Sequence, residues 1–274
     1  MTGEIIPSMR RDLLRLGVRE GDLLIVHSSF RSLGLAYRTP MDVVRTLAAA
    51  VGPEGTIMMP TFTYCYSRIW NVAPYDRDST SPLFMGIIAD SLRYYDGSLR
   101  SGSPTYSVAA LGKQARLLTE NRENVCGLGP GSSYETAYQL GARILLIGVG
   151  NDRNSMIHYA EAASGLPYND VPYREFWGKT ALAQRDGSVV EVPVVDYPGC
   201  SVNFRVVDRV LDQQGLIKRG RVCRADCMLM DARPIVDAIA ERLRMEPGWL
   251  FCGSIACEPC HRRRERLQKH GLIG

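Results

Sequence analysis

The chain has 274 residues, 45% hydrophobic and 23% charged, with a net charge of +4; that is enough for a sizeable core in one large domain or two small ones. From Cys252 onward, Arg262, Arg263, Arg264, Arg266 and Lys269 outnumber Glu258 and Glu265, so this tail supplies most of the net charge. The near-neutral body that remains argues against nucleic-acid binding. No run reaches the roughly 18 apolar residues of a membrane span, and no secretory signal is visible, so a cytoplasmic protein is expected. In that compartment cysteines bind metal or fill core more often than they pair.

The elements alternate. Residues 6–16 have helical apolar spacing before Gly17. Residues 22–27 form a short apolar run that reads as a buried strand, followed by the polar loop Ser28-Ser29-Phe30-Arg31-Ser32-Leu33-Gly34. Residues 40–51 are helical, with Thr39 as cap and Pro40 at the first position. Residues 55–60 are a second strand, 83–94 a helix and 107–111 a strand, and 143–148 is the clearest strand. Strands alternating with helices predict an α/β fold, a mainly parallel sheet flanked by helices.

After Pro167 the pattern changes. Residues 180–185 and 188–195, joined by Asp186-Gly187, predict a β-hairpin, a smaller antiparallel subdomain inserted at about 170–200. Helices over 203–214 and 232–244 follow. The expected organisation is one α/β domain over 1–251 and a Cys-rich basic tail over 252–274.

Past the strand at 143–148 comes Gly-Val-Gly-Asn-Asp-Arg-Asn-Ser155-Met-Ile-His158-Tyr-Ala-Glu161. His158 and Glu161 stand at i and i+3 and share a helical face. The carboxyl end of a strand is where open α/β sheets place their chemistry. A histidine with a carboxylate neighbour suits proton transfer near neutral pH, although the pair also fits a packed imidazole beside a solvated glutamate.

Ordered blocks give these residues a context. They are Val26-His27-Ser28-Ser29-Phe30-Arg31-Ser32-Leu33-Gly34, Gly55-Thr56-Ile57-Met58-Met59-Pro60-Thr61-Phe62-Thr63, Arg100-Ser-Gly-Ser103-Pro104-Thr-Tyr-Ser107, the stretch holding Ser155, His158 and Glu161, and Gly220-Arg-Val222 with Leu229-Met-Asp-Ala232. From about Leu23 to Leu250 the chain resembles the aminoglycoside 3-N-acetyltransferase family. The resemblance implies acetyl transfer from acetyl-CoA to an amine. His158 would be the base, Glu161 its orienter and Ser155, or nearby backbone amides, an oxyanion donor.

The hydroxyl-rich loop after the first strand suits the pantetheine arm and pyrophosphate of CoA, and the resemblance implies the same use. Ser28, Ser29, Phe30 and Arg31, with Ser107, are therefore the cofactor-binding candidates. Equally, Ser28 and Ser29 fit a capped turn and His27 a buried structural role. Neither a Rossmann nor a Walker fingerprint occurs, and the glycine-rich 127–133 reads as a structural turn.

Two departures from the family bear on the acceptor. Ser103 stands where the family often has a histidine, and the segment after the second strand is Thr61-Phe62-Thr63-Tyr64-Cys65-Tyr66, aromatic and neutral. Polycations favour acidic pockets, so the expected acceptor is a less charged amine, such as a biosynthetic amino sugar, unless Asp76, Asp78, Asp170 or Glu175 supplies charge. Other acyl-CoA donors, S-adenosylmethionine and a non-catalytic ligand-binding role stay open, and a homodimer is compatible.

Cys252, Cys257 and Cys260 with His261 fall within ten residues. With Cys223 or Cys227 they have the pattern of a structural zinc site; a metal-free packed tail fits as well. Cys65, Cys126 and Cys200 are isolated and read as core or pocket lining. Residues 262–269 read as a solvated basic helix, and the last four residues as disordered.

Overall fold

The computed structural model describes residues 3–65, 74–123, 125–167, 180–183, 187–192 and 199–274. The strands are β1 (Leu23–Ser28), β2 (Thr56–Pro60), β3 (Tyr75–Asp76), β4 (Leu99–Arg100), β5 (Val108–Gly112), β6 (Arg143–Ile147), β7 (Thr180–Ala183), β8 (Val189–Val192), β9 (Lys218–Val222) and β10 (Ala225–Asp231). The helices are α1 (Pro7–Leu16), α2 (Pro40–Val51), α3 (Ile87–Leu92), α4 (Ala115–Thr119), α5 (Ser133–Gln139), α6 (Met156–Ala163), α7 (Val207–Gln213), α8 (Ala232–Met245) and α9 (Glu258–Lys269).

A seven-stranded sheet runs β4-β5-β2-β1-β6-β10-β9. The α/β class is as expected, but the sheet is mixed. β1 pairs in parallel with β2 and β6, whereas the β2–β5, β4–β5, β6–β10 and β9–β10 pairs are antiparallel. The β9–β10 hairpin was not predicted. Its outer strand reads Lys-Arg-Gly-Arg-Val, and a charged edge strand lacks the apolar run of a central one.

Period-two alternation splits the core across the sheet. Leu23, Ile25, Met58, Ile144 and Leu146 face one cluster, with α4 to α8 packed over it. Leu24, Val26, Ile57, Met59, Leu145 and Ile147 face the other, covered by α1 to α3. Burial on both faces is why these strands read as continuous apolar runs. Thr39 and Asp42 cap α2 reciprocally, each side chain accepting from the other's backbone amide. The helix expected over 83–94 shortens because Phe84 and Gly86 adopt left-handed backbone at φ 62° and 83°.

β7 and β8 pair antiparallel as predicted, and β3 extends them into a second, three-stranded sheet. Gly187 is left-handed; Asp186 lies outside the described residues. Cys200, Phe251, Cys252, Cys260 and Leu267 form a small third core against Leu166, so the C-terminal segment is packed onto the body. The last residues are ordered: Gly271 is left-handed and Leu272 N–H donates to Leu267 O at 3.0 Å, which closes α9. Among the described residues no helix is long and apolar enough to cross a membrane.

Candidate active site

The parallel strands β2, β1 and β6 end on the same side of the sheet, and a cavity of about 900 Å³ opens there. Its lining includes Ser28, Phe62, Tyr106, Ser155, His158 and Gly199. The volume is within the range of small-molecule sites. A more open groove of about 820 Å³ over α1, edged by Arg10, Arg11 and Arg15, has neither histidine nor carboxylate among its described lining residues.

His158 and Glu161 face each other on α6, with His158 Nδ1 2.7 Å from Glu161 Oε2. The glutamate is not solvated: its side chain is 1% exposed and that of His158 11%. Arg263 Nη1, reaching in from α9, donates to Glu161 Oε1 at 2.8 Å. Burial pushes the Glu161 carboxyl up. The Arg263 charge, then the His158 hydrogen bond and charge, outweigh burial and hold it below the ordinary carboxylate range. The His158 ring packs on Phe204 at 4.7 Å between centroids, and the Gly199 backbone lies against the ring near Cε1.

Ser155 occupies the N-cap position of α6, yet its side chain does not cap. Asn154 does that work, accepting from Met156 N–H at 3.1 Å and donating to Asn151 Oδ1 at 2.9 Å. Asn151 in turn donates to Asp208 at 2.7 Å. This amide chain fixes the turn after β6 and leaves the Ser155 hydroxyl at the cavity wall.

Ser28, Ser29, Phe30 and Arg31 all line the cavity, with Arg31 opening the 3-10 turn Arg31–Leu33. His27 lines it too, and its buried Nε2 lacks a hydrogen-bond partner among the described residues. Burial lowers His27 to about 3, so this imidazole is neutral. Ser107 is displaced from its expected position. It is fully buried outside the cavity and donates to Thr61 O at 2.6 Å. Arg100 binds the same Thr61 through its hydroxyl and carbonyl. The third sequence block thus braces the strand end that carries Phe62 into the cavity. Ser103 also acts internally, accepting from Tyr106 N–H at 3.2 Å.

Phe62, Tyr64 and Tyr106 form an edge-to-face cluster on the cavity wall. Among the described lining residues the carboxylate is Asp152, which pairs with Arg205 at 2.7 Å. Asp76 and Asp78 are outside the lining, and Asp170, Glu175 and Tyr66 fall outside the described residues. Gly127 packs against Tyr106 and Ser103, where a Cβ would come within 2.5 Å of Tyr106 Cβ, so the glycine-rich segment is a structural turn beside the site.

Cys200, Cys252, Cys257 and Cys260 bring their sulfurs within 4.8 Å of one another. Cys223 and Cys227 do not join them. Cys223 lies in the β9–β10 turn, its N–H donating to Asp12, and Cys227 is buried in the α1–α3 core. The fourth thiol comes from a cysteine 52 positions before Cys252, a juxtaposition the tertiary fold makes. Cys252 N–H donates to Cys260 Sγ at 3.4 Å.

The sequence reading missed Arg263, Gly199, Phe204 and Cys200. Arg263 stands in a run of basic residues and Cys200 is isolated in the sequence, so neither carried a local signal.

The family model for aminoglycoside 3-N-acetyltransferase matches residues 25–244. Aminoglycoside N(3)-acetyltransferase IV of Salmonella sp is 32% identical over 237 residues, covering 86% of this chain and 85% of that protein. The crystal structure of apo AAC(3)-IVa superposes with a TM-score of 0.83 at 30% identity, covering 97% and 99% of the two chains. A His-to-Ala variant of that enzyme, in complex with a gentamicin, superposes equally well at 29% identity, covering 97% and 98%. AAC-IIIb, solved as a binary complex with CoASH, shares the fold at TM-score 0.76 and 23% identity, covering 87% and 96%. The fold and its relatives define an α/β N-acetyltransferase. The chain belongs to the aminoglycoside 3-N-acetyltransferase family.

Proposed function

We propose that this protein moves an acetyl group from acetyl-CoA to a primary amine of an aminoglycoside, with His158 as general base. The observation that carries this is the buried Arg263–Glu161–His158 chain ending at the cavity beside Ser155 and the Ser28-to-Arg31 loop.

With Nδ1 bonded to the carboxylate, His158 works through Nε2. The imidazole takes a proton from the substrate ammonium, and the amine nitrogen attacks the thioester carbon. Negative charge develops on the carbonyl oxygen, where Ser155 is the hydroxyl donor. The adduct collapses, the carbon–sulfur bond breaks and the imidazolium gives its proton to the CoA thiolate; the freed imidazole then takes the extra proton from the acetylated nitrogen, leaving the neutral amide, and passes it to solvent. Glu161 stabilises the imidazolium, and Ser28, Ser29, Phe30 and Arg31 hold the CoA.

The neutral aromatic wall favours a less charged amine, whereas the gentamicin in the AAC(3)-IVa variant complex supports an aminoglycoside. The second carries more weight, because it comes from a relative that aligns over nearly the whole chain.

We also infer that Cys200, Cys252, Cys257 and Cys260 hold one zinc ion in a closed structural site. Zinc at about 2.3 Å from each sulfur sets them about 3.8 Å apart, which is compatible with four sulfurs that lie within 4.8 Å of one another.

The test is release of free CoA thiol from acetyl-CoA with gentamicin as acceptor. His158→Ala is expected to abolish turnover while acetyl-CoA still raises the melting temperature. Turnover at the wild-type rate would sink the assignment.

A further inference from the structure

Resting on the zinc reading, we propose that the cysteine site is a clamp on the catalytic pair, with Arg263 as the positioning residue that transmits it. Two of the four thiols stand next to the two groups that touch the pair. Cys260 and Arg263 are three apart on α9, each 1% exposed, so they share its inward face. Cys200 directly follows Gly199, whose backbone lies against the His158 ring: a Cβ there would sit 2.6 Å from Cε1.

Both oxygens of Glu161 are engaged. Oε2 meets His158 Nδ1 at 2.7 Å and Oε1 meets Arg263 Nη1 at 2.8 Å. A carboxylate held at both ends cannot rotate, so the guanidinium sets the plane in which the imidazole is held.

The helix that delivers Arg263 needs an anchor of its own. The buried residues of α9 are Cys260, Arg263 and Leu267, a face far narrower than the apolar stripe that usually docks a surface helix. Burying a guanidinium also opposes docking unless its partner is already in place. Metal–sulfur bonds at the start of α9, shared with Cys200 and Cys252, supply the missing attachment. The same bonds fix Gly199 against the ring. The tail is thus part of the machinery that orients His158.

The experiment uses the full-length holoprotein. Wild type is expected to carry one zinc per chain by elemental analysis. Arg263→Gln should keep that zinc, lower kcat for gentamicin about 10- to 100-fold and leave the KM for acetyl-CoA unchanged. Arg263→Lys should recover part of the loss. Removing zinc with a chelator, or through Cys257→Ser at the more accessible ligand, should lower kcat by a similar factor in wild type. In the Arg263→Gln background it should lower kcat by a smaller factor than in wild type, because the Arg263 linkage is already broken and only the Gly199 contact is left to lose.

The 15N resonances of the His158 ring give a readout independent of turnover, and they should move in Arg263→Gln and on zinc removal alike. If Arg263→Gln does not fold, Arg263→Lys carries the test, with the same zinc content, a smaller loss and the same ring shift. Zinc present with fully additive losses, or with an unmoved His158 ring, overturns the clamp alone. Absence of zinc overturns the zinc reading and the clamp with it.

Discussion

The backbone of Gly199 lies against the imidazole of His158, so close that an added Cβ would stand 2.6 Å from Cε1 and about 3 Å from both ring nitrogens. The ring cannot back away, because Glu161 holds one side and Phe204 packs on another. Gly199→Ala is therefore expected to tilt the imidazole and lower kcat about 100-fold, the scale on which displacement of a reacting group by an ångström acts. Steady-state kinetics alongside a melting curve would check this. Unchanged kcat would show that the ring tolerates displacement.

Glu161 connects stability to pH. Its carboxyl lies below its ordinary value of 4.5 in the folded state. The stability it contributes is thus fully present above about pH 4.5 and is lost as pH falls through its folded value. Glu161→Gln removes that dependence and leaves Arg263 buried without its anion, which costs about 3–5 kcal/mol. Urea melts of both proteins from pH 3 to 7 should converge toward the acid end. Parallel curves would contradict the assignment.

His27 acts with the opposite protonation. Burial lowers it to about 3, so between about pH 6.5 and 3 the unfolded chain binds a proton that the folded chain does not. Stability is therefore lost on acidification below about 6.5. NMR should show the His27 ring neutral from pH 5 to 8. A midpoint near 6.5 would mean the imidazole is hydrated in the cavity.

Ser155 and Asn154 divide two tasks that a single residue often performs. Ser155→Ala should lower kcat about 100-fold through the lost oxyanion donor with little change in melting temperature. Asn154→Ala should cost about 1 kcal/mol by removing the cap on α6. Comparing the two by kinetics and urea melts tests the division, and a stability loss on Ser155→Ala would reverse it.

Arg31 stands exposed at the cavity mouth. Arg31→Ala is expected to raise the KM for acetyl-CoA and flatten its dependence on salt while kcat holds. A fall in kcat at unchanged KM would place Arg31 in the chemistry instead.

Much of this was legible in the chain itself. The apolar runs of β1, β2 and β6 stand out because both faces of the sheet are covered. His158 and Glu161 were recognisable because helical periodicity puts i and i+3 side by side. The loop from Ser28 to Arg31 could be located because it follows a strand. Each of these is a local relationship, settled within a few residues by backbone geometry. Ser107 shows the limit of such reasoning: its motif position suggested a ligand contact, but the fold turns its hydroxyl inward to Thr61.

Only the tertiary structure could decide what comes from far along the chain. It chose Cys200 over Cys223 as the fourth thiol and antiparallel partners for the outer strands. It also buried Arg263 against a carboxylate 102 positions earlier. An arginine in a run of basic residues reads as solvated, because local sequence carries no sign of which helix face will meet the body. Burial selects one arginine from that run, and the low-dielectric contact makes it the partner of Glu161.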